Sequence, residues 1–193
     1  VATVNMADAV TKASLIFVAV PSSSFREVVK QIVVFASDDA MLISTTKGIE
    51  PGNFKLMSQV LHEESPSSGI GVLSGPNLAK EIASKHPTGT VIASNNEQIR
   101  ETVKDVLRSD TFRVYTNDDM FGIELGGSLK NIYAIIAGLA ASIGTGHNTN
   151  SMLVTRALAE MARFGRELGA DPMTFLGLAG VGDLVVGSGS GHW

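Results

Sequence analysis

Along the first 118 positions short apolar runs alternate with stretches at helical spacing. Residues 4–12 read as a short helix capped by Asn5, and 15–20 as a strand apolar on both faces, the pattern of a central parallel strand. Helical spacing returns over 24–34, a strand over 41–46, and a helix over 54–64 that stops before Pro66. The alternation continues with a strand around 71–73, a helix over 76–84, a strand over 90–93, a helix over 97–107 and a strand over 112–115. Such βα alternation predicts a doubly wound, Rossmann-like parallel sheet.

Near 117–119 the pattern changes. Residues 120–144 are almost all apolar or small, and 151–168 form a two-sided helix. Its apolar stripe is Leu153, Ala157, Met161, Phe164 and Leu168, with Arg156, Glu160, Arg163 and Glu167 on a solvated face. The expected organisation is an α/β part over 1–118, followed by an all-α part over 119–193.

Composition narrows the classes. Hydrophobic residues make up 44% of the 193 and charged residues 18%, enough to bury a sizeable core. A net charge of -4, with no segment clustering lysine and arginine, argues against a nucleic-acid partner. No apolar run reaches the roughly 20 residues of a bilayer span, and no basic, apolar leader opens the chain, so neither a membrane span nor export is expected. Zero cysteines rule out disulfides and thiolate chemistry and are compatible with the cytoplasm. Four scattered histidines show no metal-ligand spacing.

Within the apolar stretch, Glu124-Leu-Gly-Gly-Ser-Leu-Lys130-Asn131 sets an ammonium beside an amide. A buried cation must be paired or used, although a lysine stem can also lie on a core with its head in water. Lys47 closes an apolar strand, and Asp183 sits in Gly180-Val-Gly-Asp183-Leu. Gly126 and Gly127 each cost about 1 kcal/mol relative to alanine in a helix, so they answer to close packing, either of a ligand or of another element.

Thr46-Lys47-Gly48-Ile49-Glu50, Ser74-Gly75-Pro76-Asn77-Leu78-Ala79-Lys80-Glu81, the run from Gly126 to Asn131, and Gly177-Leu-Ala-Gly-Val-Gly-Asp183-Leu occur in that order. Together they resemble the NAD(P)-dependent glycerol-3-phosphate dehydrogenases, over residues 1–186. The resemblance implies NAD or NADP as cofactor and dihydroxyacetone phosphate and glycerol 3-phosphate as the substrate pair. It makes Lys130 the acid/base, with Lys47 and Asp183 completing the catalytic set. Gly75, Asn77 and Asn131 would join Lys47, Lys130 and Asp183 at the substrate. Pro21, Phe25, Lys47 and Ala79 would lie along the cofactor. Gly75-Pro76 is expected to open a helix whose first amides seat an anion.

Several of these residues have an ordinary reading too: Phe25 as core, Asn131 as a helix-to-helix hydrogen bond, Asp183 as a turn or capping residue. Burial beside Lys47 favours a neutral amine at Lys130, and Asp183 favours its ammonium. No metal is called for. The G-x-G-x-x-G turn of a dinucleotide fold does not occur, and Gly69-Ile-Gly71 does not join a strand to a helix. The chain therefore reads as starting partway through the nucleotide domain, and residues 187–193 have linker composition. An inactive fragment, or a noncatalytic association module derived from such an enzyme, is the competing reading. A related dehydrogenase for another hydroxy acid is a third. The long helices after Asp119 offer apolar surface that a second copy would cover as a homodimer.

Overall fold

In a computed structural model, residues 2–65 and 69–189 are described; Pro66 and residues 190–193 lie outside them. The elements follow in order: α1 Met6–Val10, β1 Leu15–Val18, α2 Phe25–Phe35, β2 Met41–Ser44, α3 Met57–Glu64, β3 Gly69–Ser74, α4 Ala79–Ala83, β4 Thr88–Ala93, α5 Glu97–Leu107, β5 Phe112–Asn117, α6 Met120–Ser142 and α7 His147–Glu167. A 3-10 turn, Pro172–Leu176, and a π turn, Leu178–Gly182, lead into α8, Asp183–Gly189. Asn5 caps α1 as its side chain accepts from the Ala7 N–H. The linker composition at 187–189 is overridden: α8 is anchored by the fully buried Leu184, and backbone hydrogen bonds need no particular side chain to carry the helix on.

The five strands form one sheet in the order β1-β2-β3-β4-β5. The expected parallel sheet holds for three pairings, but β4 runs antiparallel to β3. The connection explains the reversal. A five-residue helix such as α4 advances about 7 Å, whereas returning along a six-residue strand takes about 20 Å. The chain therefore re-enters from the end at which it left. β1, expected to be central, has a neighbour on one side only among the described residues. Its apolarity reports two covered faces instead: Ile16 and Val18 pack with Phe25, Val29 and Ile32 of α2, while Leu15 and Phe17 pack with Ile43 and Ile92.

The switch to helices falls where the pattern changes. Asp119 caps α6 by accepting from the Gly122 N–H, and its other oxygen accepts from the Asp171 N–H and the Thr174 hydroxyl, tying the start of α6 to the 3-10 turn. The stripe of α7 is rotated from the expected one. Ala157, Met161 and Gly165 are buried, with Val154 and Leu158 beside them, whereas Phe164 and Leu168 are exposed. Gly165 is the cause: a Cβ there would meet the Phe175 ring at 2.3 Å, so the helix turns its glycine to that ring and Phe164 outward.

Candidate active site

The loops after β2 and β3 and the helix α6 converge on Asp183, the first residue of α8. Its carboxylate is almost fully buried; one oxygen ion-pairs with Lys47, and the other lies 3.1 Å from Lys130 Nζ. Lys47 also donates to the Gly75 carbonyl at 3.0 Å, so its ammonium links the β2–α3 loop, the end of β3 and the start of α8. Lys130 has a side chain 13% exposed. It lies on α6, one residue before Asn131, which is exposed and has no hydrogen bond shown among the described residues. Asn131 is four residues beyond Gly127, whose position faces Ser74 and Lys47, so the amide stands above the cleft at the next turn. Burial holds the Lys47 amine below the ordinary lysine value; the attraction of Asp183 opposes that shift and the repulsion of Lys130 adds to it.

The local backbone explains why these groups meet. Thr46 Oγ1 donates to the Val20 carbonyl at 2.7 Å, and the Thr45 N–H to Val18, so the ends of β1 and β2 stay in register up to Lys47. Gly48 turns the chain with φ +133°, and a Cβ there would meet Ser22 Oγ at 3.0 Å. Gly75, at φ +146°, packs against Thr90. The Thr90 hydroxyl is 3.1 Å from the Ser74 carbonyl and accepts from Asn77 Nδ2 at 3.0 Å, fixing the loop that carries Gly75 and Asn77. Among the described residues, Asn77 Oδ1 is buried without a hydrogen-bond partner.

The glycine pair of α6 lets it be approached on two sides. At Gly127 a Cβ would stand 2.7 Å from Ser74 Oγ, and at Gly126 3.3 Å from the Ala179 carbonyl. Both contacts are with other elements of the fold, which answers the packing question in favour of the protein itself.

Other expected residues lie differently. Phe25 is fully buried at the start of α2, in the core, and presents no open surface. Pro21 is exposed beyond the end of β1, near the turn at Gly48, and Ala79 is exposed at the start of α4. Pro76 lies three residues before that five-residue helix, so Gly75-Pro76 does not open a helix as expected. The expected helix over 54–64 begins at Met57, because Phe54 takes φ +56° and Leu56 is extended, its N–H donating to Gln59.

Three features were missed in the sequence. Glu124, named there only as the head of a motif, is a buried carboxylate accepting from both the N–H and the hydroxyl of Ser58 at the start of α3. Burial pushes its pKa up to about 7 against the pull of those hydrogen bonds. A carboxylate in an apolar run carries the same signal as the lysine that was singled out. Ser128, one turn on, grips Gly48: it accepts from the Gly48 N–H at 3.1 Å, and its hydroxyl lies 3.2 Å from the Gly48 carbonyl and 3.0 Å from that of Glu124. Arg26 binds Glu50, Glu63 and Glu64, and this pairing holds Glu50 down to about 2. A recess of about 830 Å³ between α3, β3 and the start of α5 includes none of these lysines.

Toward a dinucleotide, the fit is to one end. The carboxyl ends of β1 and β2 open at Pro21 and Lys47, as ligand sites of α/β sheets do. No glycine turn joins a strand to a long helix there to seat a pyrophosphate.

Two family models match the chain. Residues 1–100 match the model of the NAD-dependent glycerol-3-phosphate dehydrogenase N-terminus, and residues 119–192 that of its C-terminus. The chain is 56% identical over 184 residues to a glycerol-3-phosphate dehydrogenase [NAD(P)+] of Alcanivorax borkumensis, covering 95% of this chain and 54% of the relative. It is 59% identical over 182 residues to that of Azotobacter vinelandii, covering 94% and 53%. The crystal structure of glycerol-3-phosphate dehydrogenase from Coxiella burnetii superposes with a TM-score of 0.85 at 39% identity, over 90% of this chain and 53% of that one. The chain thus spans about half the length of the curated relatives it matches.

Proposed function

Because this chain belongs to the NAD-dependent glycerol-3-phosphate dehydrogenase family, we propose that it carries the substrate and proton-transfer half of an enzyme interconverting dihydroxyacetone phosphate and glycerol 3-phosphate. The observation that carries this reading is the convergence of Lys47 and Lys130 on the two oxygens of Asp183. A nicotinamide cofactor, NAD or NADP, supplies or takes the hydride when bound. The chain's own groups manage the proton and the charge. The Lys130 ammonium donates its proton to the carbonyl oxygen of dihydroxyacetone phosphate as that oxygen gains negative charge; in the reverse direction its amine takes the proton back.

Asp183 holds Lys130 in place through a buried contact, which costs less reorganisation at the moment of reaction than a solvated one. Lys47 adds positive charge beside the same oxygen. The Asn77 side chain, on the loop that carries Gly75, and the exposed Asn131 amide have the donors and acceptors suited to the substrate's hydroxyl and phosphate respectively. Pro21 and Ala79 edge the opening on the cofactor side. Two lysines around one buried carboxylate leave one positive charge without a counter-charge, which favours an anion-handling site over a noncatalytic module that would have no need to bury them.

A cytoplasmic location, and association of two copies through the apolar faces of α6 and α7, belong to the same reading. The test is oxidation of NADH or NADPH by dihydroxyacetone phosphate, followed by absorbance. Lys130→Ala is expected to lower turnover at least a hundredfold, in line with the loss of a general acid, with an unchanged circular dichroism spectrum. Near-parental turnover in that variant would remove Lys130 from the mechanism.

A further inference from the structure

The loop of residues 48–56 begins one residue after Lys47 and ends where α3 begins. Both of its ends are fastened to α6, by residues one helical turn apart. At the start, the Ser128 hydroxyl accepts from the Gly48 N–H, and its single proton is shared between the Gly48 and Glu124 carbonyls. At the end, Glu124 receives the N–H and the hydroxyl of Ser58, in the first turn of α3. Ser128 is also within hydrogen-bond reach of the Glu124 carbonyl, so the two clamps belong to one rigid turn of helix. The middle of the loop is held separately, by Glu50 against Arg26 and Asn53.

We propose that Glu124 and Ser128 are positioning residues: a two-point clamp by which α6 fixes Lys47 relative to its own Lys130, so that both ammonium groups share Asp183. Neither residue touches Asp183 or the lysines' charged ends; Ser128 acts through the Gly48 backbone, and Glu124 through Ser58 in the first turn of α3, just past the loop's far end. The spacing makes the clamp specific. Residues four apart lie on one face of a helix, and Lys130, two residues past Ser128, is turned away from that face toward Asp183. A shift of the loop by about 1 Å would part Lys47 from the Gly75 carbonyl and from Asp183 while leaving Lys130 where it is, and misplacement on that scale is costly in a reacting site. As a device for catalysis the clamp rests on the reading of the lysine pair given above; as a geometric statement it does not.

The test is the pH profile of acylation of individual lysines in the intact chain, read by mass spectrometry, with the exposed Lys12 and Lys85 as references. The profile's midpoint reports basicity and its plateau reports access. Glu124→Ala and Ser128→Ala are each expected to raise the Lys47 plateau several-fold and to move its midpoint up toward the reference lysines, while Lys12 and Lys85 stay unchanged. Should Glu124→Ala fail to fold, Ser128→Ala, which removes only one hydroxyl, decides the matter. Folded variants with the parental Lys47 profile would overturn the clamp. Protection of Lys47 and Lys130 by added glycerol 3-phosphate is measured in the parent alone. Its absence would count against the functional reading and leave the clamp to stand or fall on the variants.

Discussion

Glu124 shows how far a single residue can depart from its ordinary chemistry. Its pKa stands near 7 in the folded protein, against the ordinary 4.5, because burial penalises the carboxylate more than the Ser58 hydrogen bonds favour it. A raised folded value means that the folded protein keeps a proton which the unfolded chain gives up. The contribution is complete below about pH 4.5 and is lost as pH rises through about 7. The full swing is on the order of 3 kcal/mol, at about 1.4 kcal/mol per unit. Thermal melts between pH 5 and 8 are therefore expected to show a falling melting temperature, with the decline flattened in Glu124→Gln. An equal slope in that variant would assign the titration to another group. The same residue shows what a sequence discloses at this scale. Lys130 and Lys47 stood out because a cation in an apolar run is conspicuous, and Asp183 because it follows glycines. The roles of Ser128 and Ser58 were invisible, because serine is common and its partners lie 80 and 66 positions away.

At the scale of elements, α6 owes its place to two glycines in succession. Gly127→Ala would put a methyl 2.7 Å from the buried Ser74 hydroxyl. The gain in helix propensity, about 1 kcal/mol, is opposed by an overpacking cost of about 1–3 kcal/mol. A net loss of stability is expected in denaturant unfolding, with recovery when Ser74→Gly is added; a double variant no more stable than the single one would show that Ser74 is not the obstacle. Most elements were legible from their period, and α1 from its Asn5 cap as well; the cap that Asp119 provides for α6 was not read from the sequence. The exceptions have tertiary causes. The reversal of β4 follows from the shortness of α4, the late start of α3 from the left-handed Phe54, and the rotation of α7 from the contact of Gly165 with Phe175. None of these is encoded in a local pattern.

For the molecule as a whole, the second half of α6 presents Ile132, Ile135 and Leu139 to solvent, with Ile143 at its C-cap, and α7 adds Met152. An uncovered apolar face of this kind drives association. Sedimentation velocity is expected to show concentration-dependent species larger than the monomer, diminished in Ile135→Glu combined with Leu139→Glu; a monomer at every concentration would remove the face from consideration. The site itself has a different whole-chain property. Lys47 and Asp183 are 136 positions apart in sequence, and among the described residues Asp183 is the one carboxylate paired with both lysines. During synthesis, the two ammonium groups leave the ribosome long before their counter-charge does. Bringing them together then would set like charges side by side in a poorly solvated cleft, so the nascent chain has an electrostatic reason to keep Lys47 and Lys130 apart until α8 emerges. The centre is therefore closed by residues from distant parts of the chain: without the Asp183 carboxylate, the two lysines would have no shared counter-charge in the cleft.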